Sequence, residues 1–307
     1  MDDSWDCIVV GAGAAGLSAA LVLGRARRRT LVIDAGGQSN RVAHGVGGLL
    51  GHDGRPPSEL YALGREELAG YPAVTVRDGE VTSAARDADG GFVLALAGDP
   101  VPLRARRVLL ATGMDYHYPA LDGIAARWGR SVFHCPFCHG WEVREQPLGV
   151  LDAGATGVHR ALLLRMWSDD VTLLSDGPAG LDDDEAARLR AAGVTVDERA
   201  IAGLAGEGSA LDAVVFADGA RRACRGLLVP VTLHQRSALA QQLGAPAAEP
   251  GPLAADAVAI DAQHATGVPG LYAAGDNSML MPSVANAVAA GGTAAAMIVQ
   301  SLVAEAW

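Results

Sequence analysis

Apolar residues fall in short runs separated by glycine-rich turns. Asp6-Cys7-Ile8-Val9-Val10 reads as a strand and leads into Gly11-Ala12-Gly13-Ala14-Ala15-Gly16. Residues 17–24 have helical character, an arginine cluster spans 25–29, and Thr30-Leu31-Val32-Ile33-Asp34 is a second strand. Strand, glycine turn, helix, strand and closing acid make one complete βαβ unit. Residues 107–113 and 270–276 are further apolar strands with small-residue ends, and a long Ala-rich helix follows the second. Between them comes a second βαβ-like unit. Leu148-Gly149-Val150-Leu151 enters the turn Asp152-Ala153-Gly154-Ala155-Thr156-Gly157, a helix runs to about Trp167, and Val171-Thr172-Leu173-Leu174 closes it. The pattern predicts an α/β protein in which one nucleotide-binding domain is interrupted by another of the same kind. The expected division is residues 1–113 with 232–307, and residues 114–231.

In the first unit, Gly11, Gly13 and Gly16 make the turn tight and let a pyrophosphate approach the helix N-terminus, whose free N–H groups and dipole attract it, with Ala14 and Ala15 of the same turn among the expected cofactor-binding residues. Asp34 is placed to accept hydrogen bonds from a ribose. Gly275-Asp276, at a strand end before a helix, can hold a ribityl hydroxyl, and the helix start around Asn286-Ala287 can face a flavin pyrimidine. The arginines at 25–29 precede the second strand, so they read as a solvated helix C-terminus rather than a phosphate grip. Asp182-Asp183-Asp184-Glu185 reads as the start of an exposed helix.

Charge and composition narrow the function. The 307 residues carry 24 basic and 35 acidic groups, a net charge of −11, which suits neither nucleic acid nor an anionic membrane. Every basic residue is arginine, which excludes lysine Schiff bases and the P-loop lysine. The start, Met1 to Asp6, is acidic where a secretion signal is basic, and the expected location is the cytoplasm. Residues 277–304 are uncharged but rich in Ala and Gly, with Asn286, Gln300 and Gly291-Gly292 inside, and read as a buried helix.

The densest chemistry lies at His134-Cys135-Pro136-Phe137-Cys138-His139-Gly140-Trp141-Glu142. Cysteines at this spacing close a disulfide when they open a helix, and the helix N-terminus stabilises the first thiolate as the exchange nucleophile. His134 and His139 flank the pair, and either imidazole can take a proton from an incoming thiol. No second C-x-x-C or H-x-x-x-H completes a tetrahedral zinc site, so no metal is expected; a purely structural pair is the other alternative. Phe137 reads equally as narrowing the pair's surroundings or as apolar filler; Trp141 and Glu142 follow the motif, and core packing and a surface charge explain them as well. Cys7 and Cys224 read as inert thiols.

Taken together, Gly11-x-Gly13-x-x-Gly16, Ala111-Thr112-Gly113, the C-x-x-C in an interrupting domain and Gly275-Asp276 resemble the low-molecular-weight thioredoxin reductases along essentially the whole chain. The resemblance implies two Rossmann-like domains and a homodimeric, FAD-containing disulfide oxidoreductase. It implies Cys138 as the sulfur next to the flavin and Cys135 as the outer, exchanging one. It also implies that Ala35, Gly36 and Gln38 continue the FAD-binding loop.

Two departures bear on direction. Those reductases carry an aspartate after the second cysteine, where this chain has His139. Cys-Pro-Phe-Cys-His-Gly-Trp-Glu resembles instead the flavin-dependent dithiol oxidases that close disulfides in small natural products such as holomycin, gliotoxin and romidepsin. Their likeness implies a small-molecule dithiol substrate and molecular oxygen as acceptor, reduced to hydrogen peroxide. Second, Asp152 stands where a nicotinamide fingerprint has its first glycine, and no arginines follow Val171–Leu174 to hold a 2′-phosphate. Asp176 remains placed for an NADH ribose, so a reductase fed by NAD(P)H or by another protein is the alternative.

Overall fold

The structure is a computed structural model that describes residues 4–306; the first three residues of the acidic start, Met1-Asp2-Asp3, and Trp307 lie outside the described residues. The chain opens with β1 (Trp5–Val10), α1 (Ala14–Arg25) and β2 (Thr30–Asp34). It continues through α2 (Pro57–Leu68), β3 (Val74–Asp78), β4 (Val81–Arg86), β5 (Phe92–Leu96) and β6 (Leu103–Leu110). Then follow β7 (Met114–His117), β8 (Val132–Phe133), α3 (Pro136–His139), β9 (Leu148–Leu151), α4 (Gly154–Leu164) and β10 (Val171–Leu174). Next are α5 (Asp183–Ala191), β11 (Thr195–Asp197), β12 (Ile201–Ala205), β13 (Ala213–Phe216), β14 (Arg221–Ala223) and β15 (Gly226–Leu228). β16 (Thr232–Gln235), α6 (Leu239–Gln242), β17 (Leu271–Ala273) and α7 (Val284–Ala306) complete it.

Two compact units result. One holds the described residues up to Arg41, Leu49–Tyr116 and those from Thr232 onward; the other holds Val42–Gly48 and His117–Val231. The division differs from the expected one in two places. Residues 114–116 stay with the first unit, where β7 pairs with β16. Val42–Gly48 joins the second unit, because Gly47 lies on the Cys138 backbone and Arg130 Nε donates to the Val42 carbonyl at 2.9 Å.

In the first unit the strands run β3-β2-β1-β6-β5-β4, and β17 adds beside β6. β1 lies between β2 and β6, all parallel, with Val9 facing Val32 on one side and Leu109 on the other. A parallel strand covered on both faces must be apolar throughout, which is why 7–10 read as a continuous run. Alternation then divides the core. Cys7 and Val9 point to α1 and α7, while Ile8 and Val10 point to the layer of Phe92, Leu94 and α6. The long helix α7, uncharged up to Ala304, meets the length and composition of a membrane span. Here its stripe of Ala287, Ala290, Ala294, Ala295, Ile298 and Leu302 shares one core with α1. A Cβ on Gly291 would stand 2.0 Å from the Ala15 carbonyl, so the two helix backbones touch there and only glycine fits.

The second unit repeats the scheme with a parallel sheet β11-β10-β9-β15-β8 and an antiparallel sheet β12-β13-β14. The acidic start of α5 forms a capping box, Asp182 accepting from Glu185 N–H while Glu185 accepts from Asp182 N–H. α4 ends at Leu164, one turn short of Trp167. Cys7 and Cys224 are buried free thiols, and burial pushes both up, Cys224 to about 12, so neither forms a thiolate near neutrality.

Candidate active site

The glycine turn between β1 and α1 fits a dinucleotide on steric grounds. Gly11 has φ +106°, and a Cβ there would lie 2.2 Å from the Ala111 carbonyl; a Cβ on Gly16 would lie 1.8 Å from that of Gly11. Both glycines are obligatory for the turn and for its packing on the end of β6. Gly13 differs: the nearest neighbour of a Cβ there is Gln38 Cγ at 3.7 Å, so its backbone faces open space, as the approach of a pyrophosphate requires. Ala14 and Ala15 begin α1, which gathers no acid in its first turn to compete with a phosphate.

Asp34, at the end of β2, is buried and accepts from Ala12 N–H (3.3 Å), Gly36 N–H (3.2 Å) and Gln38 Nε2 (3.3 Å). It also pairs with Arg65 of α2, a partner the sequence did not suggest. The carboxylate therefore fastens the loop of Ala35, Gly36 and Gln38 to the glycine turn. Gln38 Oε1 is buried without a hydrogen-bond partner, an acceptor waiting for a donor. On the other side of the turn, Thr112 Oγ1 and the Leu110 carbonyl receive Asn277 Nδ2 (3.3 and 3.0 Å), and Gly113 takes φ +68°. Gly275, with φ +94°, aims Asp276 into a recess where burial pushes its carboxyl up and the Tyr116 hydroxyl donates to Oδ2 at 2.9 Å. Asn286 lies in the first turn of α7, its amide donating back to the Met281 carbonyl (3.0 Å) and its N–H to the Ser283 hydroxyl. Ala287 turns its methyl into the core beside α1, so only backbone is on offer there.

In the second unit Cys135 and Cys138 are joined as a disulfide, with Cα atoms 5.3 Å apart. Cys135 is extended, Pro136 takes the first helical position at no cost in hydrogen bonds, and Gly140 N–H donates to the Pro136 carbonyl at 2.7 Å. α3 is a single turn, shorter than the thiolate argument assumes, so local N–H groups rather than a summed helix dipole face Cys135. Gly140 is required because a Cβ would meet the Pro136 carbonyl at 2.6 Å and the Trp167 ring at 2.9 Å. Phe137 stands 68% exposed, edge-on to Trp167, and Trp141 65% exposed under the Arg144 guanidinium. Neither is filler or core; both are presented beside the disulfide.

The two histidines separate. His139 stacks on buried Phe133, and its Nε2 lies 3.1 Å from the Gly129 carbonyl. A carbonyl only accepts, so Nε2 carries the proton and Nδ1 the lone pair, and Nδ1 is buried without a hydrogen-bond partner. Burial holds this imidazole below its ordinary 6.5, opposed by the backbone of Cys135 and Gly129, with His44 adding like charge. It is neutral at physiological pH. His134 lies against Trp128, and burial, with His139 and Arg160 as like charges, pushes it down to about 4. A base that weak takes a thiol proton poorly.

In the second nucleotide fold a carboxylate stands at the turn between β9 and α4. Asp152 Oδ1 accepts Ala153 N–H (2.8 Å) and the Thr156 hydroxyl (3.3 Å), and Oδ2 pairs with Arg160. Thus a carboxylate occupies the start of α4, the place where a nucleotide phosphate binds in this fold. Asp176, left-handed at φ +52°, spends Oδ1 on Ile201 N–H at 2.6 Å.

A nucleotide cradle of this form, together with a C-x-x-C disulfide in a second nucleotide fold, defines a flavin-dependent disulfide oxidoreductase. The chain belongs to the pyridine nucleotide-disulphide oxidoreductase family, whose model matches residues 5–291. Thioredoxin reductase tcpT of Claviceps purpurea is 32% identical over 98% of this chain and 95% of its own. Thioredoxin reductase sirT of Leptosphaeria maculans is 29% identical over 94% and 91%. Among solved structures, an oxidoreductase from Agrobacterium tumefaciens superposes with TM-score 0.90 at 36% identity, covering 98% of this chain and 99% of that one. HlmI superposes with TM-score 0.89 at 37% identity, covering 100% and 95%. The chain is a redox enzyme of the thioredoxin reductase type, and its cofactor is FAD.

Sequence reasoning missed Arg65, Tyr116, Asn277 and Gly291. Only the last left a signal, a glycine pair inside an Ala-rich helix, which marks close helix packing.

Proposed function

We propose that this enzyme is a dithiol oxidase: it closes an intramolecular disulfide in a small-molecule dithiol, and dioxygen takes up the two electrons as hydrogen peroxide. The observation that carries this reading over a nicotinamide-fed reductase is Asp152. Its carboxylate holds Ala153 N–H, Thr156 and Arg160, so an incoming pyrophosphate meets like charge and spent donors.

The chain's own part is as follows. One substrate thiol gives its proton to Nδ1 of His139, kept neutral by burial and in the right tautomer by the Gly129 carbonyl. The thiolate attacks Sγ of Cys135, the S–S bond breaks, and Cys138 leaves as a thiolate. The second substrate thiol gives its proton to solvent, attacks its own mixed disulfide and displaces Cys135 as a thiolate. The product leaves with a new S–S bond, and the enzyme pair holds the two electrons. Bound FAD supplies the two-electron chemistry that restores the Cys135–Cys138 disulfide and delivers the electrons to oxygen. Phe137 and Trp141 offer aromatic faces to the substrate. A homodimer working in the cytoplasm is part of the same proposal.

The test is an oxygen electrode with small dithiols. One hydrogen peroxide per dithiol consumed is expected, and C138S abolishes it. Oxygen uptake that persists in C138S overturns the mechanism.

A further inference from the structure

Tyr116 belongs to no motif, yet it touches both ends of the nucleotide cradle in the first unit. Its hydroxyl donates to Asp276 Oδ2 at 2.9 Å and lies beside the Ser39 side chain, which favours the ionised phenol. Ser39 directly follows Gln38 and opens the short helical turn Ser39–Val42, so it belongs to the loop that Asp34 fastens to the glycine turn. Asp276 comes from the other half of the domain, at the end of β17. Tyr116, itself 160 residues from Asp276 in sequence, thereby joins the two loops. The residue just after the paired strand β16 reinforces the join: Arg236 Nε donates to Asp115 Oδ1 (2.8 Å), and its terminal nitrogens donate to the carbonyls of Gly37 (2.6 Å) and Met114 (3.0 Å).

We propose that Tyr116 is a positioning residue for FAD: the Ser39–Tyr116–Asp276 chain clamps the loop after β2 to the loop after β17 and ties down Oδ2 of Asp276, leaving Oδ1 as the acceptor for a cofactor hydroxyl. Among the described residues no donor reaches Oδ1. A carboxylate with one oxygen held by a phenol has a fixed plane, so the remaining lone pairs point one way and pay less ordering entropy on binding. The phenol also serves a charge that burial disfavours. Besides Tyr116, the groups that act on Asp276 are Arg236, after β16, and Tyr61, of α2. This inference rests on FAD occupying the first unit and is independent of the direction of the thiol chemistry.

Flavin fluorescence during titration of the apoprotein with FAD tests it without turnover. Y116F removes one oxygen and is expected to raise the FAD dissociation constant about tenfold, with S39A raising it about threefold. Because the three groups act as one chain, Y116F/S39A is expected to match Y116F alone. Loss of the phenol donor pushes Asp276 further up, so on acidification Y116F releases FAD at a higher pH than the wild type. Wild-type FAD affinity in Y116F overturns the proposal, as does an S39A effect that adds in full to that of Y116F. Should Y116F fail to fold, S39A decides: unchanged affinity and an unchanged pH of release overturn it.

Discussion

At His139 two physical effects act on one ring. Burial lowers its proton affinity, while the Gly129 carbonyl decides which nitrogen keeps the proton. The first keeps the imidazole neutral at pH 7, and the second leaves on Nδ1 the lone pair that the proposed base step uses. H139Q is therefore expected to lower kcat/KM for a dithiol by about 10²-fold or more, whereas H134Q costs less than about tenfold. The sign of the pH dependence follows from the lowered value. Base function persists as pH falls through 6.5 and is lost only when pH drops through the folded-state value below it. Rates followed downward from pH 8 in wild type should show that acid limb below 6.5, and H139Q should lack it. An H139Q enzyme with wild-type rates sinks the assignment.

Two contacts between elements depend on glycine. α7 crosses α1 at Gly291, whose missing side chain lets the helices meet at Ala15, two residues from the open glycine of the cradle. G291V is expected to cost about 1–3 kcal/mol through overpacking. In a chain of this size that lowers the melting temperature by about 2–4 °C per kcal/mol. A thermal melt unchanged from wild type contradicts the close crossing. Gly47 lies against the Cys138 backbone, where a Cβ would be 3.0 Å from the carbonyl. G47V should slow dithiol oxidation and leave FAD affinity unchanged, because the segment it displaces packs with the disulfide unit. Turnover assays paired with flavin fluorescence separate the two effects.

For the molecule as a whole the question is where electrons enter. With the start of α4 already held by Asp152 and Arg160, mixing the holoprotein with NADH or NADPH without oxygen should leave the flavin absorbance near 450 nm unbleached, at about its starting value. A dithiol under the same conditions should bleach it. Rapid bleaching by NADH in stopped flow would favour the reductase and dismiss the oxidase. Both folds carry a parallel sheet with a glycine-bearing turn, so the proposed discrimination rests on the Asp152 carboxylate.

Local chemistry is written along the chain, and that part was legible. A continuous apolar run is the only pattern that suits a doubly covered parallel strand, so β1, β2, β9 and β10 could be placed from composition alone. Gly11 and Gly16 could be read because turn geometry admits no side chain there, and the C-x-x-C pair because a single helical turn brings its sulfurs together. What pairs across long separations was not written locally. Arg65 on Asp34, Tyr116 on Asp276, Gly291 on Ala15 and Gly47 on Cys138 each join residues that no spacing relates. Exposure at Phe137 and Trp141 stayed open in the sequence for the same reason, since an aromatic side chain suits a core or a binding face equally until the neighbouring elements are in place. Sequence settles what each segment can form by itself, because backbone sterics and periodicity act over a few residues. The fold decides which lone pair is left open and which phosphate site is already filled, because those depend on groups that only packing brings within hydrogen-bond reach.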